Sequence, residues 1–128
     1  MILADTSVWI QLLNGRATRL QEKELLSVVT CGPVVQEVLQ GFRPGPLYDE
    51  FRESFLALPK VGDPPALSTF LHGAEIYRNG RRRGVTIRSS TDCLIAAIAI
   101  ENRVAVWHRD RDYTAIARFT GLELFERK

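Results

Sequence analysis

The first apolar run of the chain is short and ends on an acid: Ile2, Leu3 and Ala4 lead into Asp5, with Thr6 and Ser7 next. Such a run predicts a buried strand over residues 2–4. Thr6 or Ser7 is suited to cap a helix to about Leu13, which Asn14-Gly15 ends. Leu20, Glu24 and Leu25 at helical spacing predict a helix over 18–28, and the β-branched stretch 28–31 a second short strand. After the Gly32-Pro33 turn, Val34, Val35, Val38, Leu39 and Phe42 share one face of a helix over 34–42, with Glu37 on its flank. Arg43-Pro44-Gly45-Pro46 breaks that helix.

Two more helices are predicted over 47–58 and 65–79, followed by a basic run and an extended stretch at 85–87. Ser89-Ser90-Thr91-Asp92 is a rich helix start, and residues 93–101 are apolar nearly all round, as in a buried helix. Residues 104–107 read as another buried strand, followed by HRDRD, a helix over 113–119 and a last strand over 122–125. Short apolar strands alternating with helices imply an α/β fold, a three-layer α/β/α domain with a mainly parallel central sheet. No repeat, linker or low-complexity stretch divides the chain, so residues 1–128 are expected to form a single domain.

Composition narrows the function classes. No apolar run approaches the ~18–20 residues that span a bilayer, and no signal-peptide pattern opens the chain. A cytoplasmic protein without membrane contact is therefore expected. Cys31 and Cys93 lie far apart with no CxxC and no ligand-spaced His, which disfavours zinc and suits two reduced core thiols. A net charge of +2 is too small to argue for nucleic acid, so the placement of charges decides.

The acids carry the chemistry. In open α/β sheets, sites form outside the carboxyl ends of the strands. Asp5 directly follows one predicted strand, and Asp110 follows another after two residues. Asp92 sits in the first turn of the buried helix, and Glu37 lies near the start of a helix that follows a strand. Each has a structural use as well: Asp5, Asp92 and Asp110 or Asp112 as helix-start acids, Glu37 as a solvated flank residue. Gathered at one sheet edge they would repel, by roughly 4 kcal/mol for two carboxylates ~4 Å apart at an effective dielectric of 20. A hard divalent cation removes that repulsion and suits in-line phosphoryl displacement.

Four stretches, ILADTSVWI, PVVQEVLQGF, RRRGVTIRSSTDCLIAAIAI and VWHRDRDYTAIA, resemble a PIN domain, and more narrowly the VapC-type toxin nucleases of toxin–antitoxin pairs. The resemblance covers essentially the whole chain in order. It implies a Mg²⁺- or Mn²⁺-dependent endoribonuclease, usually a homodimer, neutralised by a small VapB-type antitoxin. Carried over by position, Asp5, Asp92 and Asp110 would be the metal-site aspartates, and Glu37 the fourth acid. Thr6 and Ser7 match polar residues that position ligands or water. His108 stands where the family commonly has Thr or Ser, so its contact with metal or substrate stays open. HRDRDY offers both Asp110 and Asp112, and Asp110 fits the family register better. Glu37 would orient or deprotonate the attacking water, leaving 5′-phosphate and 3′-hydroxyl ends on the cut RNA.

Arg78, Arg81, Arg82, Arg83 and Arg88, five arginines within eleven residues, suit phosphate contacts, with Arg81 and Arg82 as tentative substrate-positioning residues. A solvated basic turn is the plainer alternative. Trp9 and Trp107 adjoin the acids in sequence and are expected in the core rather than stacked on bases. Three rival readings remain open: a metal-independent ribonuclease using His72 and His108, a phosphoaspartyl phosphatase using Asp5, and a non-catalytic RNA- or protein-binding module.

Overall fold

The computed structural model describes residues 1–14 and 22–126. Three short strands form a parallel sheet: β1 (Ile2–Ala4), β2 (Val28–Val29) and β3 (Ala105–Trp107), in the order β2-β1-β3. The strand predicted first in sequence is the central one, and Leu3 and Ala4 have no exposed surface. Its register sets Leu3 against Val29 on one side, and Leu3 and Ala4 against Val106 and Trp107 on the other. Because the strands are parallel, β1 and β3 end at the same edge, and the Asp5 N–H still donates to the Trp107 carbonyl at 2.9 Å.

Helices α1 (Thr6–Leu13), α2 (Glu22–Leu25), α3 (Gly32–Gln40), α4 (Pro46–Leu56), α5 (Leu67–Arg82), α6 (Ser90–Asn102) and α7 (Arg111–Ala117) complete the layers. The α/β/α arrangement expected from the alternation is observed. The N-terminal part of the helix predicted over 18–28 falls outside the described residues, and Glu22–Leu25 is helical. Residues 85–87 form no strand, although Ile87 is buried and Val85 packs on the core. The last predicted strand is reduced to one parallel bridge, Val106 to Leu124. It flanks β3 with two backbone hydrogen bonds, Val106 N–H to the Glu123 carbonyl and Phe125 N–H to the Val106 carbonyl.

Two packings position the site. Trp9 lies edge-on to Phe55 at 5.0 Å, Phe55 stacks on Phe51 at 5.1 Å, and the Trp9 Nε1–H donates to the Ala4 carbonyl. The aromatic cluster thus anchors α1 against the end of β1. On the other side α6 is buried along Ile95–Ala99, as its all-round apolarity predicts. At Gly73, a Cβ would come within 3.3 Å of the Leu94 Cα, so glycine allows α5 to approach the α6 backbone. Trp9 and Trp107 are both core residues, with 6 % and 2 % exposure.

Candidate metal centre

Asp5 caps α1 itself. Its Oδ2 accepts from the Ser7 N–H at 3.1 Å and the Ser7 hydroxyl at 2.7 Å. The expectation of Thr6 or Ser7 as the cap is corrected accordingly: the carboxylate one residue before Thr6 accepts the Ser7 N–H, and the Ser7 hydroxyl adds a second donor to it. Ser7 Oγ accepts the Arg109 N–H at 3.0 Å and so ties the end of β1 to the loop after β3. The Thr6 hydroxyl donates to Glu37 Oε1 at 2.9 Å, joining α1 to α3.

The loop after β3 delivers the remaining acids. Asp110 is the N-cap of α7 and accepts the Asp112 N–H at 3.0 Å, while His108 Nδ1 accepts the Asp110 N–H at 3.2 Å. Asp112, in the first turn of α7, is 3 % exposed and accepts the Arg88 N–H at 3.2 Å. Asp92, in the first turn of α6, faces the same space with 5 % exposure. Each of Asp92, Asp110 and Asp112 offers a carboxylate oxygen within 4.8 Å of the others. The fold brings both Asp110 and Asp112 to Asp92.

Asp5 joins this trio through a residue that motif reading overlooked. The hydroxyl of Tyr113, a side chain with no exposed surface, lies 2.7 Å from Asp5 Oδ1 and 3.2 Å from Asp92 Oδ1. The only sequence signal was its place, one residue beyond the DRD triplet on the inner side of α7. Glu37 stays on the flank, half-buried and bonded to Thr6. Arg81 and Arg82 end α5, where Arg82 bonds Asn79. Among the described residues it is Arg88 that meets the acids, with Nη2 3.4 Å from Asp110 Oδ1 and Nε 3.7 Å from Asp112 Oδ1.

Electrostatics mark Asp92 as the strained member. Burial pushes its carboxyl up to about 8, and the neighbouring charges of Asp5 and Asp110 add to the effect. Its Oδ2 is buried without a hydrogen-bond partner. A buried carboxylate oxygen without a donor is costly. The unpartnered oxygen beside two further carboxylates, in an all-oxygen donor set, fits a hard divalent cation. Tyr113, buried between Asp5 and Asp92, is held protonated for the same reason, its hydroxyl pushed well above its ordinary value.

A parallel α/β fold with a carboxylate cluster at the carboxyl edge of its sheet sets those acids where open α/β folds bind their ligands. Residues 2–119 match the family model of the PIN domain. Ribonuclease VapC11 of Mycobacterium tuberculosis is 35% identical over 130 residues, covering 96% of each chain. Among solved structures, VapBC-1 from nontypeable Haemophilus influenzae superposes with a TM-score of 0.73 at 16% identity, covering 98% of both chains. VapBC-5 from M. tuberculosis, a member of the VapBC family of toxin–antitoxin systems, superposes with a TM-score of 0.69 at 18% identity, covering 98% of this chain and 97% of that one. The chain belongs to the PIN-domain family, on its VapC-type branch.

Proposed function

We propose that this protein is the toxin of a type II toxin–antitoxin pair, a cytoplasmic Mg²⁺-dependent endoribonuclease in which Mn²⁺ can replace Mg²⁺. The observation that carries the reading is Asp92: a buried carboxyl with one oxygen unpartnered, set beside Asp110 and Asp112 and linked to Asp5. Asp92, Asp110 and Asp112, with Asp5 linked to them through Tyr113, are the residues that would hold the cation. When bound, the cation lowers the pKa of water and stabilises the oxygens of an in-line displacement, which leaves 5′-phosphate and 3′-hydroxyl ends. Glu37, steadied by the Thr6 hydroxyl, orients or deprotonates the attacking water. Ser7 holds Asp5 Oδ2 in place, and Tyr113 turns the Oδ1 atoms of Asp5 and Asp92 toward the protein interior. His108 shapes the turn that presents Asp110.

A cleft of about 490 Å³ beside the acids, lined by Pro33, Glu37, Phe70 and Thr91 among others, offers room for a strand of RNA. Exposed apolar side chains support protein partners. Ile10, Leu13 and Leu47 border a groove with Val38 and Phe42, and α5 turns Leu67, Phe70 and Leu71 outward. A VapB-type antitoxin and a second copy of the chain are the partners that this reading assigns to such surfaces. An Asp5 nucleophile is disfavoured because the strand end carries no DxD pair: Thr6 and Ser7 follow Asp5. Each histidine also has a structural use, His72 in a bond to Glu101 that joins α5 to α6 and His108 in the turn before Asp110.

The test is cleavage of total RNA by antitoxin-free protein, with Mg²⁺, with EDTA and with Asp5→Asn, followed by mapping of the new ends. Discrete cuts with 5′-phosphates that vanish in both controls are expected. Cleavage that survives EDTA would transfer the reading to the histidines.

A further inference from the structure

Of the basic run that begins at Arg78, most members have local partners. Arg78 pairs with Glu75, Arg82 bonds Asn79, and Arg83 lies over the Phe119 ring. Arg88 differs: its guanidinium bridges Asp110 and Asp112, two of the three carboxylates that converge on one point. Both contacts are long, at 3.4 and 3.7 Å, and the side chain is 56 % exposed. Asp112 itself is buried and Asp110 partly so, but contacts this long from a largely exposed guanidinium hold the acids only loosely.

The acids keep other donors when the side chain departs. The Arg88 main-chain N–H holds Asp112 Oδ2, and the Asp112 N–H holds Asp110 Oδ1. The guanidinium is therefore dispensable for placing the acids, yet it lies where it can offset their repulsion. A planar fork at the rim of a metal centre is also the group best suited to grip a phosphate with two parallel hydrogen bonds.

We propose that Arg88 exchanges partners during the cycle: it neutralises Asp110 and Asp112 while the site holds no cation, and grips a phosphate of the RNA strand once those acids are engaged. The second half rests on the nuclease reading above. Arg88 is thus an internal competitor for the metal site and a substrate-positioning residue in turn, which opposes the two effects of its removal.

The experiment compares wild type, Arg88→Gln and Arg88→Lys, each checked for folding by thermal melting. Mn²⁺ affinity is measured by calorimetry without RNA. Binding of a short fluorescein-labelled oligouridylate is measured by anisotropy in Ca²⁺ across a salt series, with gels showing the RNA intact. Arg88→Gln is expected to tighten Mn²⁺ binding about two- to fivefold, the scale of a long ion pair made from a largely exposed guanidinium. The same variant should weaken RNA binding about tenfold and lower the salt slope by about one. Arg88→Lys, a charged point without the fork, should retain the wild-type salt slope and part of the RNA affinity. Mn²⁺ binding that is unchanged or weaker in Arg88→Gln would overturn the proposal and leave Arg88 as a strut for its two acids. An unchanged RNA salt slope, in a wild type that cleaves RNA, would overturn the phosphate role alone. A wild type that neither cleaves nor binds RNA, yet gains Mn²⁺ affinity on Arg88→Gln, would remove the nuclease reading and the phosphate role together while supporting the internal competition.

Discussion

Helix α6 carries an acid near each end, and the two have opposite fates. Glu101, near its C-terminus, accepts from the Thr69 hydroxyl at 2.6 Å and lies 2.7 Å from His72 Nδ1. Those donors, Thr69 foremost, hold its carboxyl below its ordinary range. Asp92, near the N-terminus, is buried against Asp5 and Asp110, with Tyr113 as its hydrogen-bond partner, and is pushed up to about 8. Glu101 clasps α5 to α6 and finishes with its hydrogen bonds made. Asp92 is left one oxygen short. On one helix, the acid that joins two elements is supplied with donors, while the other meets further acids and a single hydroxyl.

The comparison breaks most sharply by mutation at Asp92. Asp92→Asn should lower RNA cleavage by about 10³-fold, several kcal/mol of lost transition-state stabilisation. It should leave the metal-free fold at least as stable as wild type at pH 8, because an amide replaces a crowded carboxylate. Initial cleavage rates and melting in EDTA check both halves, and a strongly destabilised variant would count Asp92 as structural.

Metal affinity comes next. Tyr113→Phe removes the hydroxyl behind Asp5 and Asp92 while keeping the ring, and Mn²⁺ binding should weaken about tenfold, as for other outer partners of ligating carboxylates. Calorimetry on the folded variant reads this directly. Unchanged affinity would reduce Tyr113 to core packing.

The pH dependence follows from the directions of the shifts. Asp92 is raised from 3.8 to about 8, so its protonated form stabilises the fold fully below pH 3.8 and that contribution is lost as pH rises through about 8. Metal-free protein should therefore lose a few degrees of melting temperature between pH 6 and pH 9. Asp92→Asn should flatten that decline, and Mn²⁺ should reverse it while releasing a proton. Glu101 has the opposite sign: its contribution is present above its ordinary 4.5 and is lost as pH falls through its lowered value.

The smallest effect belongs to the clasp. Glu101→Gln should cost about 1 kcal/mol of stability, the scale of a part-exposed hydrogen-bonded pair. Cleavage should stay within about twofold of wild type. Denaturant unfolding beside a cleavage assay measures both, and a large loss of activity would mean that the α5–α6 packing tunes the site.

Much of this layout was legible from the pattern of residues. Strand β1, the broken helix before Arg43-Pro44, the buried helix α6 and the acids at strand and helix ends all stand where apolar runs and turn residues put them. Residues 85–87, expected as an extended stretch, pair with no strand among the described residues, and their β-branched character serves to bury Ile87 against the core, close to Gly80. Within the basic run, sequence density pointed to Arg81 and Arg82, which end α5, while the contact with the acids is made by Arg88 in the loop before α6.

The sequence alone determined which residues could carry the chemistry and which elements would hold them, because hydrophobic period and capping are local and short-range forces write them. Tertiary structure decided the partnerships. Tyr113 reaches Asp5 across 108 positions of sequence, and Arg109 reaches Ser7 across 102. Asp110 and Asp112 lie together because a cap turns one back over the other's N–H and α6 arrives beside both. Such meetings depend on strand order and helix approach, which are set by the packing of the whole core, so no local pattern records them.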